Sequence, residues 1–97
     1  MSRDIRSEGM DKLCDALLSL KNRDEMYAFL DDLCTVKELD AMGQRFMVAA
    51  LLKKNETYQE IARETGASTA TISRVNRAFT YGNDGYTLAL SRIEENK

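Results

Sequence analysis

TYQEIARETGASTATISRVNRAF, residues 57–79, divides at Gly66 into two segments of helical character. Ile61 and Ala62 lie in the first, and Ala62 is small where two helices would come close together. Gly66 follows four residues later, and glycine takes the positive φ of a tight turn without steric cost. Ile72 and Val75, six and nine residues beyond the glycine, share one face of the second segment and would pack on Ile61. Thr57 with Glu60 makes a capping box that opens a helix over 58–65, and Ser68 caps a second helix over 68–79. These spacings predict a helix-turn-helix over 57–79. Two residues depart from the usual pattern: polar Thr65, where an apolar residue is commoner, and small Ala67. The competing reading is an ordinary helical hairpin, which would not need an outer face so free of acids.

That outer face points to a partner. Ser68, Thr69, Ala70, Ser73, Arg74 and Arg77 project away from Ile72 and Val75, and Thr71 is short like its neighbours. Short residues let a helix approach the floor of a major groove, where alanine and the threonine methyl can meet a thymine methyl. Arg74 and Arg77 can pair with guanine or phosphate. Gln59, in the first helix, falls near the phosphate backbone in such a geometry. For each residue singly, a solvated helix position is the plain alternative. Charge is distributed in the same sense. Residues 1–52 hold seven bases and ten acids, whereas residues 53–82 hold five bases and three acids. From Gly66 to Gly82 there are two arginines and no acid. A basic patch on a body of net charge −2 is compatible with double-stranded DNA, though a weaker sign than an overall basic domain.

Outward from this stretch, the chain reads as helices only. Ser7 begins a helix to about Leu20, with Met10, Leu13, Cys14, Leu17 and Leu18 on one face. Asn22, with Glu25 in capping-box position, opens a helix over about 23–34 whose apolar face is Met26, Tyr27, Phe29, Leu30, Leu33 and Cys34. Thr35 and Glu38 form another capping box, for a helix running to about Lys54. Phe46 to Leu52 of that helix are continuously apolar, so it is buried on more than one side. One subunit of 97 residues can hardly wrap it, which predicts a homodimer core including Leu39, Phe46, Met47, Ala50 and Leu51. A central helix in a monomeric bundle is the alternative. Asn83 or Asp84 should cap a last helix over about 85–95, with Tyr86, Ala89, Leu90 and Ile93 as its face. The polar N-terminal stretch MSRDIRS is expected to fray, and the tail ENK is polar.

Composition narrows the function classes. There is no proline, and the good helix formers are plentiful, so the chain is expected to be all-α and a single domain over 1–97. No apolar run approaches the length of a membrane span, and no signal peptide is visible, so a cytoplasmic protein is expected. Cys14 and Cys34 read as two buried free thiols, with a redox pair as the alternative. With no histidine and two cysteines, neither a metal site nor another cofactor is expected. No Gly-rich phosphate loop or nucleophile–base pair is present, and Asp31–Asp32 and Glu94–Glu95 read as solvated faces, so an enzyme is not expected.

GASTATISR closely resembles the recognition helix of the tryptophan repressor. The wider run from Glu38 to Tyr86, including ATISRVNRA and YGNDGY, resembles the YerC/YecD-type branch of the Trp repressor-like superfamily. The resemblance is specific over about Leu39 to Ile93 and extends to helix order before that. It implies a six-helix fold and an intertwined homodimer. Helices over about 8–54 and 84–95 would form the shared core, and the helix-turn-helix units would reach successive major grooves of a palindromic operator about 34 Å apart. The tryptophan site carries over poorly. Of the two arginines flanking the indole, one matches Arg74. The other matches Arg45 with a one-residue gap, or Gln44 without it. The glycine that makes room for the ligand is Val75 here, and the serine that holds its amino group is Ala78. Tryptophan is therefore not expected as a corepressor, and a small-molecule effector stays open. The reading is a sequence-specific DNA-binding regulator, a repressor in the family's manner. The alternative is a helical protein–protein interaction module on the same fold, supported by the acidic balance.

Overall fold

A computed structural model describes residues 3–95, and among these every regular element is an α-helix. The six are α1 (Glu8–Ser19), α2 (Arg23–Leu33), α3 (Val36–Lys53), α4 (Tyr58–Thr65), α5 (Thr69–Tyr81) and α6 (Gly85–Glu95). Of the fraying expected over residues 1–7, the part at residues 1–2 lies outside the described residues. The chain forms two compact units, Met1–Leu39 and Asp40–Lys97.

The first unit is written by its caps. The Ser7 side chain accepts from the Met10 N–H at 3.0 Å and starts α1. At the far end Leu20 is extended, and the Ser19 hydroxyl donates to the Ala16 carbonyl at 2.6 Å. Asn22 accepts from the Glu25 N–H at 2.9 Å and starts α2. The capping box expected there closes one residue early: the Glu25 carboxylate accepts from the Lys21 N–H at 2.8 Å. Thr35 and Glu38 do form a reciprocal box at the head of α3, with bonds of 2.8 and 3.1 Å. Neither α1 nor α2 carries a buried residue. Cys14, expected to be buried, is exposed, and Cys34 is half-buried, because this chain covers the apolar stripes of both helices only in part.

The second unit has its own core. Val48, Ala49 and Leu51 of α3, Ile61 of α4, Ala67 of the turn, Ile72 and Val75 of α5 and Leu90 of α6 are buried together. Phe46, Ala50, Leu52, Ala62, Phe79 and Tyr86 flank them, with the Phe46 and Tyr86 ring centroids 6.3 Å apart. Burying a large aliphatic side chain contributes roughly 1.5–3 kcal/mol, so Ile61, Ile72, Val48 and Val75, the largest fully enclosed residues, dominate this unit's stability. Lys53 of α3 pairs with Glu94 of α6 at 3.3 Å.

The turns after α3, after α4 and before α6 each contain a left-handed residue. Asn55 (φ 63°) ends α3 in a Schellman arrangement, with its N–H donating to the Leu52 carbonyl and the Glu56 N–H to the Leu51 carbonyl. Two expectations are corrected in this region. The second helix of the motif runs two residues beyond Phe79, to Tyr81, because nothing in RAFTY breaks it before Gly82. The start of α6 is not closed by a side chain of Asn83 or Asp84. Asp84 is itself left-handed (φ 63°), and its backbone carbonyl accepts from the Leu88 N–H at 2.9 Å.

Candidate nucleic-acid interface

Four residues close the turn between α4 and α5. Gly66 has φ 74° and ψ 4°, and its N–H donates to the Ala62 carbonyl at 2.9 Å. The Thr65 hydroxyl donates to the Ile61 carbonyl at 2.7 Å and accepts from the Ala67 N–H at 3.1 Å. This explains the polar residue that looked out of place: Thr65 binds both sides of the turn through one oxygen. Ala67 is buried, so a small side chain is what the site admits. Gln44, on α3, donates from Nε2 to the Thr65 carbonyl at 3.2 Å.

Capping holds each helix of the pair. Thr57 accepts from the Glu60 N–H and Glu60 accepts from the Thr57 N–H at 2.9 Å, a complete capping box. The Thr57 backbone N–H and then its hydroxyl hold the Glu60 carboxyl below its usual value of 4.5, because both favour the charged form. Glu56, just before the box, is pushed up from 4.5, chiefly by its side-chain hydrogen bond with Glu64. Ser68 accepts from the Thr71 N–H and donates to the Thr71 hydroxyl, both at 3.1 Å. Its hydroxyl is thus engaged in starting α5. Across the pair, Asn76 donates to the Tyr58 hydroxyl at 3.2 Å, and Thr80 donates to Asn76 at 3.4 Å.

Of the residues expected to pack the motif, Ile61, Ile72 and Val75 are buried and Ala62 is half-buried. Of the residues expected to face DNA, Gln59, Ser68, Thr69, Ala70, Ser73, Arg74 and Arg77 are exposed and Thr71 is half-buried. The first turn of α5 carries no acid. Neither Arg74 nor Arg77 has an ion-pair partner among the described residues. The face is therefore a strip of short side chains ending in two uncompensated guanidiniums. Sequence reasoning did not find the polar ties made by Gln44, Tyr58 and Asn76. A glutamine on a helix gives no local sign of a partner 21 residues away. Among the described residues no group of three or more potential metal ligands assembles, and no helix is long and apolar enough to cross a membrane.

The sequence profile of the family described as Trp repressor protein matches residues 8–94. The chain belongs to the Trp repressor family. It is similar to the uncharacterized protein YerC of Bacillus subtilis (strain 168), with 50% identity over 91 residues, covering 94% of this chain and 88% of that protein. A candidate Trp repressor from Staphylococcus aureus, solved by crystallography, shares 51% identity and a TM-score of 0.89 over 93% of this chain and 90% of that one. A TrpR-like protein from Eubacterium eligens ATCC 27750 shares 49% identity and a TM-score of 0.90, over 93% of each chain. The expected all-α, six-helix Trp repressor-like fold and the YerC-type resemblance are both borne out. The family is one of helix-turn-helix DNA-binding regulators, not of enzymes.

Proposed function

We propose that this Trp repressor-family chain is a sequence-specific DNA-binding transcriptional regulator, a repressor, working as a homodimer in the cytoplasm. Each subunit lays α5 in the major groove of a palindromic operator. The observation that carries this is the outer strip of α5. Thr69, Ala70, Ser73, Arg74 and Arg77 are exposed and unopposed by acid, on a helix whose inner side is fixed by buried Ile72 and Val75. Thr69, Ala70 and Ser73 approach base edges, and Arg74 and Arg77 bind guanine or phosphate. Gln59 and the first turn of α5 meet the backbone. The whole chain serves as one DNA-binding domain, with α1, α2, α3 and α6 supplying the dimer. Support for the dimer lies in apolar side chains this chain leaves in solvent, including Leu18 at 83% and Met47 at 53% exposure, beside half-buried Leu39, Phe46 and Ala50. Leu51 is already enclosed in the chain's own core and has little surface left to share.

Tryptophan is not the corepressor in this reading. Val75 is 2% exposed, so its side chain occupies core volume where a glycine would leave space, and Ala78 offers no hydroxyl.

The test is selection of bound fragments from random DNA, followed by gel shift on the selected sequence. Arg74→Ala and Arg77→Ala should each weaken binding by roughly tenfold or more with helicity unchanged. Binding should fall with salt as phosphate contacts are screened, and added tryptophan should leave it unchanged. If neither arginine matters, α5 is not the reading helix. The chain's acidic balance (net −2) favours one second reading, a protein-interaction module, in which the purified protein retains no DNA at moderate salt.

A further inference from the structure

Among the described residues of the second unit, two side-chain hydrogen bonds join separate helices. Asn76 to Tyr58 lies inside the α4–α5 pair and travels with it. Gln44 to Thr65 is, among the described residues, the side-chain hydrogen bond that connects the turn to α3. Its acceptor is the last carbonyl of α4. The final carbonyls of a helix lack intrahelical donors, so this oxygen needs an outside partner. Thr65 is half-buried. The same residue binds the Ile61 carbonyl and the Ala67 N–H through its hydroxyl. The relay therefore runs from α3 through Gln44 and Thr65 to the residue that precedes the cap of α5. Apolar packing fixes the distance between α3 and the pair but is non-directional. A hydrogen bond to a carbonyl has a preferred line and also fixes rotation.

We propose that Gln44 is a positioning residue for DNA binding: its amide indexes the α4–α5 turn against α3 and so sets the angle at which α5 is presented, with no ligand and no DNA contact of its own. The inference rests on α5 being the reading helix. Gln44→Met keeps length and apolar bulk but removes the donor. Gln44→Glu keeps shape and sets a carboxylate against the carbonyl. Gln44→Lys returns an N–H donor.

The experiment measures each variant's affinity for the selected DNA at fixed salt, together with amide hydrogen exchange over the full chain. The Met variant should bind about tenfold more weakly and the Glu variant more weakly still, since one hydrogen bond is worth about that factor. Exchange should accelerate at Gly66, Ala67 and the first turn of α5, and stay unchanged at Val48 and Val75. The Lys variant should recover both. Wild-type affinity and unchanged exchange in the Met variant overturn the proposal, as does loosening spread evenly through the core. Failure of the DNA reading is separable: there the wild type and Arg74→Ala bind DNA equally poorly. Exchange then decides for Gln44, because loosening confined to the turn upholds the link and its absence overturns it.

Discussion

The stretch from Glu8 to Leu33 and the stretch from Tyr58 to Tyr81 have similar amounts of helix and similar caps, yet their side chains fare differently. The latter buries Ile61, Ala67, Ile72 and Val75 and ties its turn with three side-chain hydrogen bonds. The former buries nothing. Both sequences carry apolar residues at helical spacing. Periodicity states which face seeks cover; it does not state whose atoms provide it. In residues 40–95 the same chain provides the cover. In α1 and α2, faces bearing Leu18, Tyr27 and Leu33 remain in solvent, and a second copy of the chain is the partner that the proposed dimer supplies.

The contrast can be broken most forcefully at Ile61. Replacing this fully enclosed residue by alanine should cost about 2–5 kcal/mol, by lost transfer energy and the cavity left behind. Chemical denaturation should show this loss at any protein concentration, because the cover is internal. Leu18→Ser should behave differently. In an isolated chain a residue this exposed should shift stability by no more than about 0.5 kcal/mol. In the dimer it should cost about 1–2 kcal/mol, and sedimentation should find more monomer on dilution. A concentration-independent effect of Leu18→Ser would remove the second copy as the missing partner. The smallest effect compares the two complete capping boxes, Thr35–Glu38 and Thr57–Glu60. Thr35 and Thr57 hold these glutamates below 4.5, in each case chiefly through a backbone N–H. A lowered carboxyl pKa adds stability above about 4.5 that is lost as pH falls through the folded-state value. Glu56 works in the opposite sense, adding stability below 4.5 that is lost as pH rises through its raised folded-state value. Glu60→Gln should therefore flatten the acid limb of a stability–pH curve, and Glu38→Gln should do the same more weakly if α3 starts to fray before α4 does.

What could be read from residues follows physical range. Helix starts were legible at Ser7, Asn22, Thr35, Thr57 and Ser68, because a cap and the N–H that donates to it lie within three residues of each other. Gly66 was legible because its backbone conformation excludes most alternatives. The start of α6 was misread. Asn83 and Asp84 look like capping residues, but Asp84 uses its tolerance of the left-handed region and caps through its backbone. Cys14 was misread because burial was inferred from a stripe whose cover is not in this chain. At the site, the outward face of α5 followed from helical geometry and charge. Gln44, Tyr58 and Asn76 did not, since their partners are far away in sequence and their residue types are ordinary on any exposed helix.

Thr65 has a consequence for how such chains are found. A search pattern that asks for an apolar residue before the turn glycine of a helix-turn-helix would score this position as a defect. The hydroxyl answers both a carbonyl behind it and an N–H ahead of it, so a pattern written in terms of satisfied backbone groups would score it as a fit. Threonine or serine in that slot, with a long amide side chain about 21 residues upstream, is then a signature by which members with the same polar turn can be picked out from sequence alone.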